Sequence, residues 1–143
     1  RYDRVLLDTG AGISDVVLYA VSMADDVMVV VTPEPTSMTD AYATVKVLAL
    51  QQQRELIHLT VNQASKPGEG RSVAQQLQNV VDRFVHTPDG GAVKLQLVGE
   101  IPADLSVREA VKRRQLMLET YPGCLAAQAV MQMAGRLADV TKR

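Results

Sequence analysis

DDVMVVVTPEPTSMTDAYATVKVL, Asp25 to Leu48, decides how this chain folds. Val27 to Val31 is an unbroken apolar run with no polar alternation. A strand that is apolar on both sides belongs in a sheet covered on both faces. Pro33 and Pro35 follow at once, and proline cannot donate to a strand ladder, so the strand must stop. Beyond them Met38, Ala41, Tyr42, Val45, Leu48 and Ala49 step by three and four, the period of one helix face. Ser37 with Asp40 forms an S-x-x-D box just after Pro35 and predicts the helix start. A buried strand feeding an amphipathic helix is half of a βαβ unit.

The same alternation continues on both sides. Val5-Leu6-Leu7, Leu56 to Val61 and Val93 to Val98 read as further strands. Val16, Val17, Ala20, Val21 and Ala24 form a helical stripe, and Val73, Leu77, Val80, Val81 and Phe84 form another. Ser106 with Glu109 is an S-x-x-E box, and after Pro122-Gly123 a last helix carries Ala126, Val130, Met133, Leu137 and Val140. The predicted order is β-α-β-α-β-α-β-α-α, an α/β fold with a mostly parallel sheet, right-handed crossovers and helices on both faces. Residues 1–143 are read as one domain. Gln63 to Gly70 and Thr87 to Gly91, rich in turn residues, are expected to be flexible connections.

Composition narrows the function classes. With 47% hydrophobic and 22% charged residues and a net charge of −1, the chain can bury a core but presents no polybasic field for direct nucleic-acid binding. Lys112-Arg113-Arg114 is short and reads as a solvated helix end. The single cysteine, Cys124, excludes an intramolecular disulfide and reads as a small buried hydrophobe. His58 and His86 have no acidic or thiol partners at metal-ligand spacing, and His58 reads as a strand histidine facing a neighbour. No signal peptide or membrane-length apolar run is present in the sequence, which points to the cytoplasm.

In an open α/β sheet, ligands bind outside the carboxyl ends of the strands. Those ends carry Asp8-Thr9-Gly10-Ala11-Gly12, then Thr32 to Ser37, then Asn62, then Gly99 to Asp104. Asp8 suits a Mg²⁺-bound or nucleophilic water, and Gly10 and Gly12 would let backbone N–H groups approach a phosphate. Equally, Asp8 caps the next helix and the glycines merely turn the chain. Asn62 offers the donor and acceptor that an adenine edge requires, or it caps a turn. Pro102 and Asp104 wall a base pocket, or Asp104 or Ser106 caps a helix.

Taken together these stretches resemble a known family. YDRVLLDTGAGISD, residues 2–15, is similar to the Walker-B-type strand and switch II of the deviant-Walker P-loop ATPases, which include MinD, ParA and the nitrogenase iron protein. The Asp25 to Leu48 stretch resembles the strand, loop and helix that follow in the MinD branch. LIHLTVNQA, residues 56–64, resembles the strand ending in the adenine-contacting Asn, and VGEIPADLSVREAV, residues 98–111, resembles the segment beside the base. The likeness is strongest to the MinD-like regulators of flagellar number (FlhG/FleN type), which share DTGAGISD, PEPTS-x-TDAYA and the Glu69-Gly70 pair after VNQA.

The resemblance implies an ATP-switched homodimer whose state is read by a partner or a membrane and reset by hydrolysis. It implies that Asp8 is the catalytic switch II carboxylate, near Mg through water, and that Gly10 and Gly12 lie by the γ-phosphate. Asn62 and Pro102 would contact adenine, Asp104 would belong to the nucleotide-binding set beside them, and Glu34, Ser37 and Asp40 would lie on the dimer or partner surface. Implied partners are a flagellar transcription regulator and a signal-recognition-type GTPase, with no direct nucleic acid. The implied location is cytoplasmic, peripheral at the inner membrane or cell pole. The last helix, with Ala, Met and Val but no Trp or Phe, reads as packed on the sheet rather than as a membrane anchor.

The family's phosphate loop, G-K-G-G-x-G-K-[ST], and its switch I acids are missing from these 143 residues. The expectation is a C-terminal portion of a MinD-like ATPase domain. ATP and Mg would belong to the whole protein, and this portion alone would neither hydrolyse ATP nor hold it tightly. In the family fold the phosphate-loop strand lies between the strand ending at Asp8 and the strand ending at Thr32. Without it those two would either pair directly or fill the edge from another molecule. The rival reading is a non-catalytic protein-interaction domain derived from a P-loop ATPase. A dinucleotide-binding oxidoreductase is disfavoured, because DTGAG is not a G-x-G-x-x-G opening.

Overall fold

A computed structural model describes the backbone of residues 2–140 and the side chains through residue 138. After an irregular opening stretch come α1 (Asp15–Ser22), β1 (Met28–Val31), α2 (Pro35–Gln52), β2 (Leu56–Ala64), α3 (Glu69–Phe84) and β3 (Lys94–Pro102). Three helices close the chain: α4 (Leu105–Lys112), α5 (Met117–Thr120) and α6 (Leu125–Val140). The strands form a three-stranded sheet in the order β1-β2-β3, with both pairings parallel. The α/β class and the parallel sheet are as the apolar runs predict.

Strand pairing aligns one face of the sheet. Val29 lies opposite Leu59, Leu59 opposite Leu97, and Ile57 opposite Leu95. With Val31 and Val61 these side chains meet Ala41, Val45, Leu48 and Ala49 of α2 and Val73, Leu77 and Val81 of α3, forming the main core. Leu18 and Val21 of α1 pack against its margin. On the other face His58 and Thr60 are buried, with His58 Nε2 3.5 Å from the Asp26 carboxylate. A register shift between Leu59 and Thr60 brings Gly99 beside Thr60, and so onto this second face. A Cβ on Gly99 would stand 2.5 Å from Met133 Cγ; only glycine lets α6 pack this closely on β3. The last helix therefore lies on the sheet, as its small-residue stripe predicts, with Ala126, Ala127 and Met133 buried; the side chain of Val140 lies outside the described ones.

Four expectations need correction. Val5-Leu6-Leu7 is not a strand: Val5 is 73% and Leu6 92% exposed, and among the described residues no backbone hydrogen bond joins this stretch to the sheet. A strand is stable only when its N–H and C=O groups are paired, and no neighbour pairs these. Direct pairing of this stretch with β1 is accordingly not found. Second, α2 starts at Pro35 with Glu34 as N-cap, because the Ser37 hydroxyl accepts the Thr32 N–H at 2.9 Å instead of capping. Third, of the two caps the sequence offers for α4, Asp104 and Ser106, the structure uses Asp104, and the Ser106-Glu109 box is not formed. Fourth, Val80 and Phe84 of α3 face outward, 41% and 66% exposed, since Val73, Leu77 and Val81 already fill the core-facing stripe.

The two connections expected to be flexible are tied. The Thr87 N–H donates to Gly91 O at 3.0 Å, and the Gly91 N–H donates to Thr87 Oγ1 at 2.8 Å. The Thr87 hydroxyl also donates to the Asp89 carboxylate, which holds that carboxyl below its ordinary range. Thr87 is buried, and its hydroxyl closes the turn on itself through Asp89 and Gly91.

Candidate functional site

Three parallel strands deliver their carboxyl ends to one edge of the sheet, where α/β folds place ligands. At the end of β2, Asn62 Oδ1 accepts the N–H of Gln63 at 2.9 Å, and Gln63 takes a left-handed φ of 59°. The local bond fixes the asparagine side chain and leaves its NH₂ group as a donor. Ala64 then pairs with Pro102 at the end of β3, and the Ala103 N–H donates to Ala64 O at 2.9 Å. Asn62 and Pro102 are thus brought to neighbouring strand ends.

Asp104 follows immediately. One carboxylate oxygen accepts the Ser106 N–H at 2.8 Å and the other accepts the Ala126 N–H at 3.2 Å. These two backbone bonds hold its carboxyl below the ordinary range. Asp104 therefore caps α4 and at the same time ties the start of α6 to the end of β3.

Glu100 was not singled out by sequence reasoning, yet it organises the adjoining loop. Its carboxylate accepts the Gly68 N–H at 2.8 Å and the Gly70 N–H at 2.7 Å. It thereby satisfies two of the free donors at the N-terminus of α3 and complements the positive end of that helix. A Cβ on Gly70 would lie 2.6 Å from Glu100 Oε2, and Gly68 has φ +83°. The available signal was two glycines at a strand-to-helix turn facing a lone acid at the end of the next parallel strand.

The turn after β1 carries Glu34, Ser37 and Asp40. Glu34 and Asp40 are exposed, Ser37 is half-buried and fixed by Thr32, and Thr44 Oγ1 donates to Asp40 O at 2.9 Å. Asp8, Gly10 and Gly12 stand apart in the exposed opening stretch, with Gly12 at φ +100°. No hydrogen bond or ion pair ties the Asp8 carboxylate to another described residue. A cavity of about 90 Å³ lined by Leu7, Thr9, Val27 and Met28 lies between this stretch and β1. Among the described residues no group of His, Cys, Asp and Glu could hold a metal by itself. The structure thus joins Asn62, Pro102 and Asp104 in one corner, keeps Glu34, Ser37 and Asp40 on the turn and first turns of α2, and leaves Asp8, Gly10 and Gly12 outside the sheet.

No family model matches the chain. It is 39% identical over 94% of its length to the antiactivator FleN of Pseudomonas aeruginosa, spanning 46% of that protein. It is 29% identical over 94% of its length to the flagellum site-determining protein YlxH of Helicobacter pylori, spanning 44% of it. An uncharacterized ATP-binding protein of Methanocaldococcus jannaschii is 30% identical over 93% of the chain and is spanned to 45%. Among solved structures, the MinD cell division protein of Aquifex aeolicus superposes with a TM-score of 0.72 at 27% identity, over 96% of this chain and 54% of that one. The chain spans about half the length of the curated relatives it matches.

Proposed function

We propose that this chain, 39% identical to FleN over 94% of its length, is a portion of a MinD/ParA-like, ATP-switched regulator of flagellar number and placement. The observation that carries the reading is the corner formed by Asn62, Pro102 and the turn that Asp104 caps. Its likeness to FleN and YlxH, named as an antiactivator and a flagellum site-determining protein, supports the flagellar setting. The protein would work in the cytoplasm, at the inner membrane or cell pole, with a flagellar transcription regulator and a signal-recognition-type GTPase as partners. An ATP-dependent homodimer would present Glu34, Ser37 and Asp40.

In this reading the corner would take a purine base. The Asn62 NH₂ is free to donate to a ring nitrogen, and Pro102 offers an apolar wall. Asp104 has both carboxylate oxygens engaged, so it would shape the corner through the turn rather than by touching the base. Asp8, with no partner among the described residues, is available to orient water beside Mg²⁺, and Gly10 and Gly12 leave the backbone open beside it. ATP and Mg, when bound to the whole protein, supply the γ-phosphate whose presence or loss sets the switch. The grip on the phosphates is not among the groups this chain displays.

The test has two arms. Isothermal titration of the 143-residue chain should give no binding heat with millimolar Mg-ATP; micromolar affinity would refute the assignment of the phosphate grip elsewhere. The whole gene product, expressed in a bacterium deleted for its own flagellar-number regulator, should restore the normal count. Asp8→Ala and Asn62→Ala should fail to do so, and an unchanged count with the intact protein overturns the flagellar reading.

A further inference from the structure

The open edge of β3 carries a groove that the nucleotide reading does not use. It has a volume of about 520 Å³ and lies between the N-terminus of α3 and the middle of α6. Leu97, Ala129 and Met133 form an apolar floor, and Arg71, Gln132 and Arg136 stand around it. Arg136 Nη1 donates to Val98 O at 2.7 Å, which fixes its guanidinium over the strand and leaves its other N–H groups to solvent. Among the described residues neither Arg71 nor Arg136 has an ion-pair partner. The one acid lining the groove, Glu100, spends its carboxylate on the N–H groups of Gly68 and Gly70. The groove thus combines an apolar base with two uncompensated cations.

We propose that this groove docks an acidic peptide segment of a partner protein, whose carboxylates pair with Arg71 and Arg136 while an apolar side chain rests on Leu97, Ala129 and Met133. Charge complementarity selects the occupant. Arginine forks match carboxylates in geometry, and the apolar floor rewards a neighbouring Leu or Phe. A free phosphate fits less well. The helix N-terminus that would cradle one is already plugged by the Glu100 carboxylate. A second copy of this chain fits less well too, because the rim offers it arginines and no exposed acid with which to pair.

A fluorescein-labelled peptide of about twelve residues alternating pairs of Glu and Leu serves as the probe, with a Lys-Leu counterpart as control. The Glu-Leu peptide should bind in anisotropy titrations and shift the amide resonances of Gly68, Gly70 and Gly99. The Lys-Leu peptide should not. Arg71→Glu, at an exposed residue, should weaken binding about tenfold by turning attraction into repulsion. Ala129→Glu should do the same from the apolar floor, with circular dichroism confirming an unchanged fold. Equal binding of the two peptides, indifference to Arg71→Glu, or resonance shifts confined to β1 overturns the proposal. So does displacement of the peptide by millimolar inorganic phosphate, which would mark a small-anion site. None of these readouts depends on nucleotide binding.

Discussion

Replacing Gly70 by alanine puts a methyl group where Glu100 already stands, 2.6 Å from Oε2 and 2.7 Å from Cβ. The strand cannot give way without breaking its pairing with β2. The carboxylate must therefore leave Gly68 and Gly70, and Gly70→Ala should cost about 1–3 kcal/mol. Urea titration should show a lower midpoint at an unchanged slope. In a Glu100→Gly background, which removes both the carboxylate and the Cβ that the new methyl would meet, the same change should cost far less, because the clash and the lost bonds are one event; additive costs would show that the pair does not act together. Asp104 predicts a pH effect of definite sign. Its folded carboxyl titrates below the ordinary range, chiefly through the Ser106 N–H and then the Ala126 N–H. That contribution is present above the unfolded carboxyl range, roughly pH 4, and is lost as pH falls through the lower folded value. Asp104→Asn should therefore lower the urea midpoint at pH 7 and flatten its decline below pH 4, and a parallel decline in both proteins would contradict the assignment.

Elements whose own sequence dictates their burial were legible before any coordinates. The run Val27 to Val31 becomes β1 at Met28–Val31, and the stripe from Met38 to Ala49 lies within α2 at Pro35–Gln52. Leu48 is 1% exposed at the centre of that stripe; Leu48→Ala should cost about 2–5 kcal/mol, and a change under about 1 kcal/mol in equilibrium unfolding would show that the site collapses or that the core lies elsewhere. What escaped the sequence depends on partners distant in the chain. Ser37 has a capping hydroxyl, but Thr32 claims it. Val5-Leu6-Leu7 has strand composition, yet composition supplies no neighbour to pair with. Thr87 to Gly91 has turn composition and is nonetheless fixed by its own threonine. The candidate site divides in the same way. That Asn62 and Pro102 lie at neighbouring strand ends is legible because strand ends can be counted along the sequence, whereas the role of Glu100 in its loop is not, because its donors lie 32 and 30 residues away.

At the scale of the whole molecule both outer strands of the sheet pair on one side only among the described residues, and the surroundings of their free edges differ. β3 is flanked by α3 and α6 and carries Arg71 and Arg136 beside it. β1 pairs only with β2 among the described residues, and Met28 and Val30 on it are 42% and 56% exposed. Val5, Leu6 and Ile13 add further apolar surface, at 73%, 92% and 43% exposure. A parallel strand with a free edge and bare branched side chains is a template for another strand, because its N–H and C=O groups remain to be paired. Natural edges avoid this with lysines, prolines or bulges, and Met28–Val31 contains none of them. The 143-residue chain should accordingly self-associate through β1, with a light-scattering mass that rises with concentration. Val30→Lys places a charge on that exposed strand without entering the main core. It should shift the mass toward the 15.5 kDa monomer while leaving the urea midpoint nearly unchanged. The peptide groove at β3 should be untouched, so the Glu-Leu probe should bind Val30→Lys as it binds the parent chain. A parent chain that stays monomeric at millimolar concentration would show that this edge is protected, and the search for what covers it would turn to the stretch from Tyr2 to Ser14.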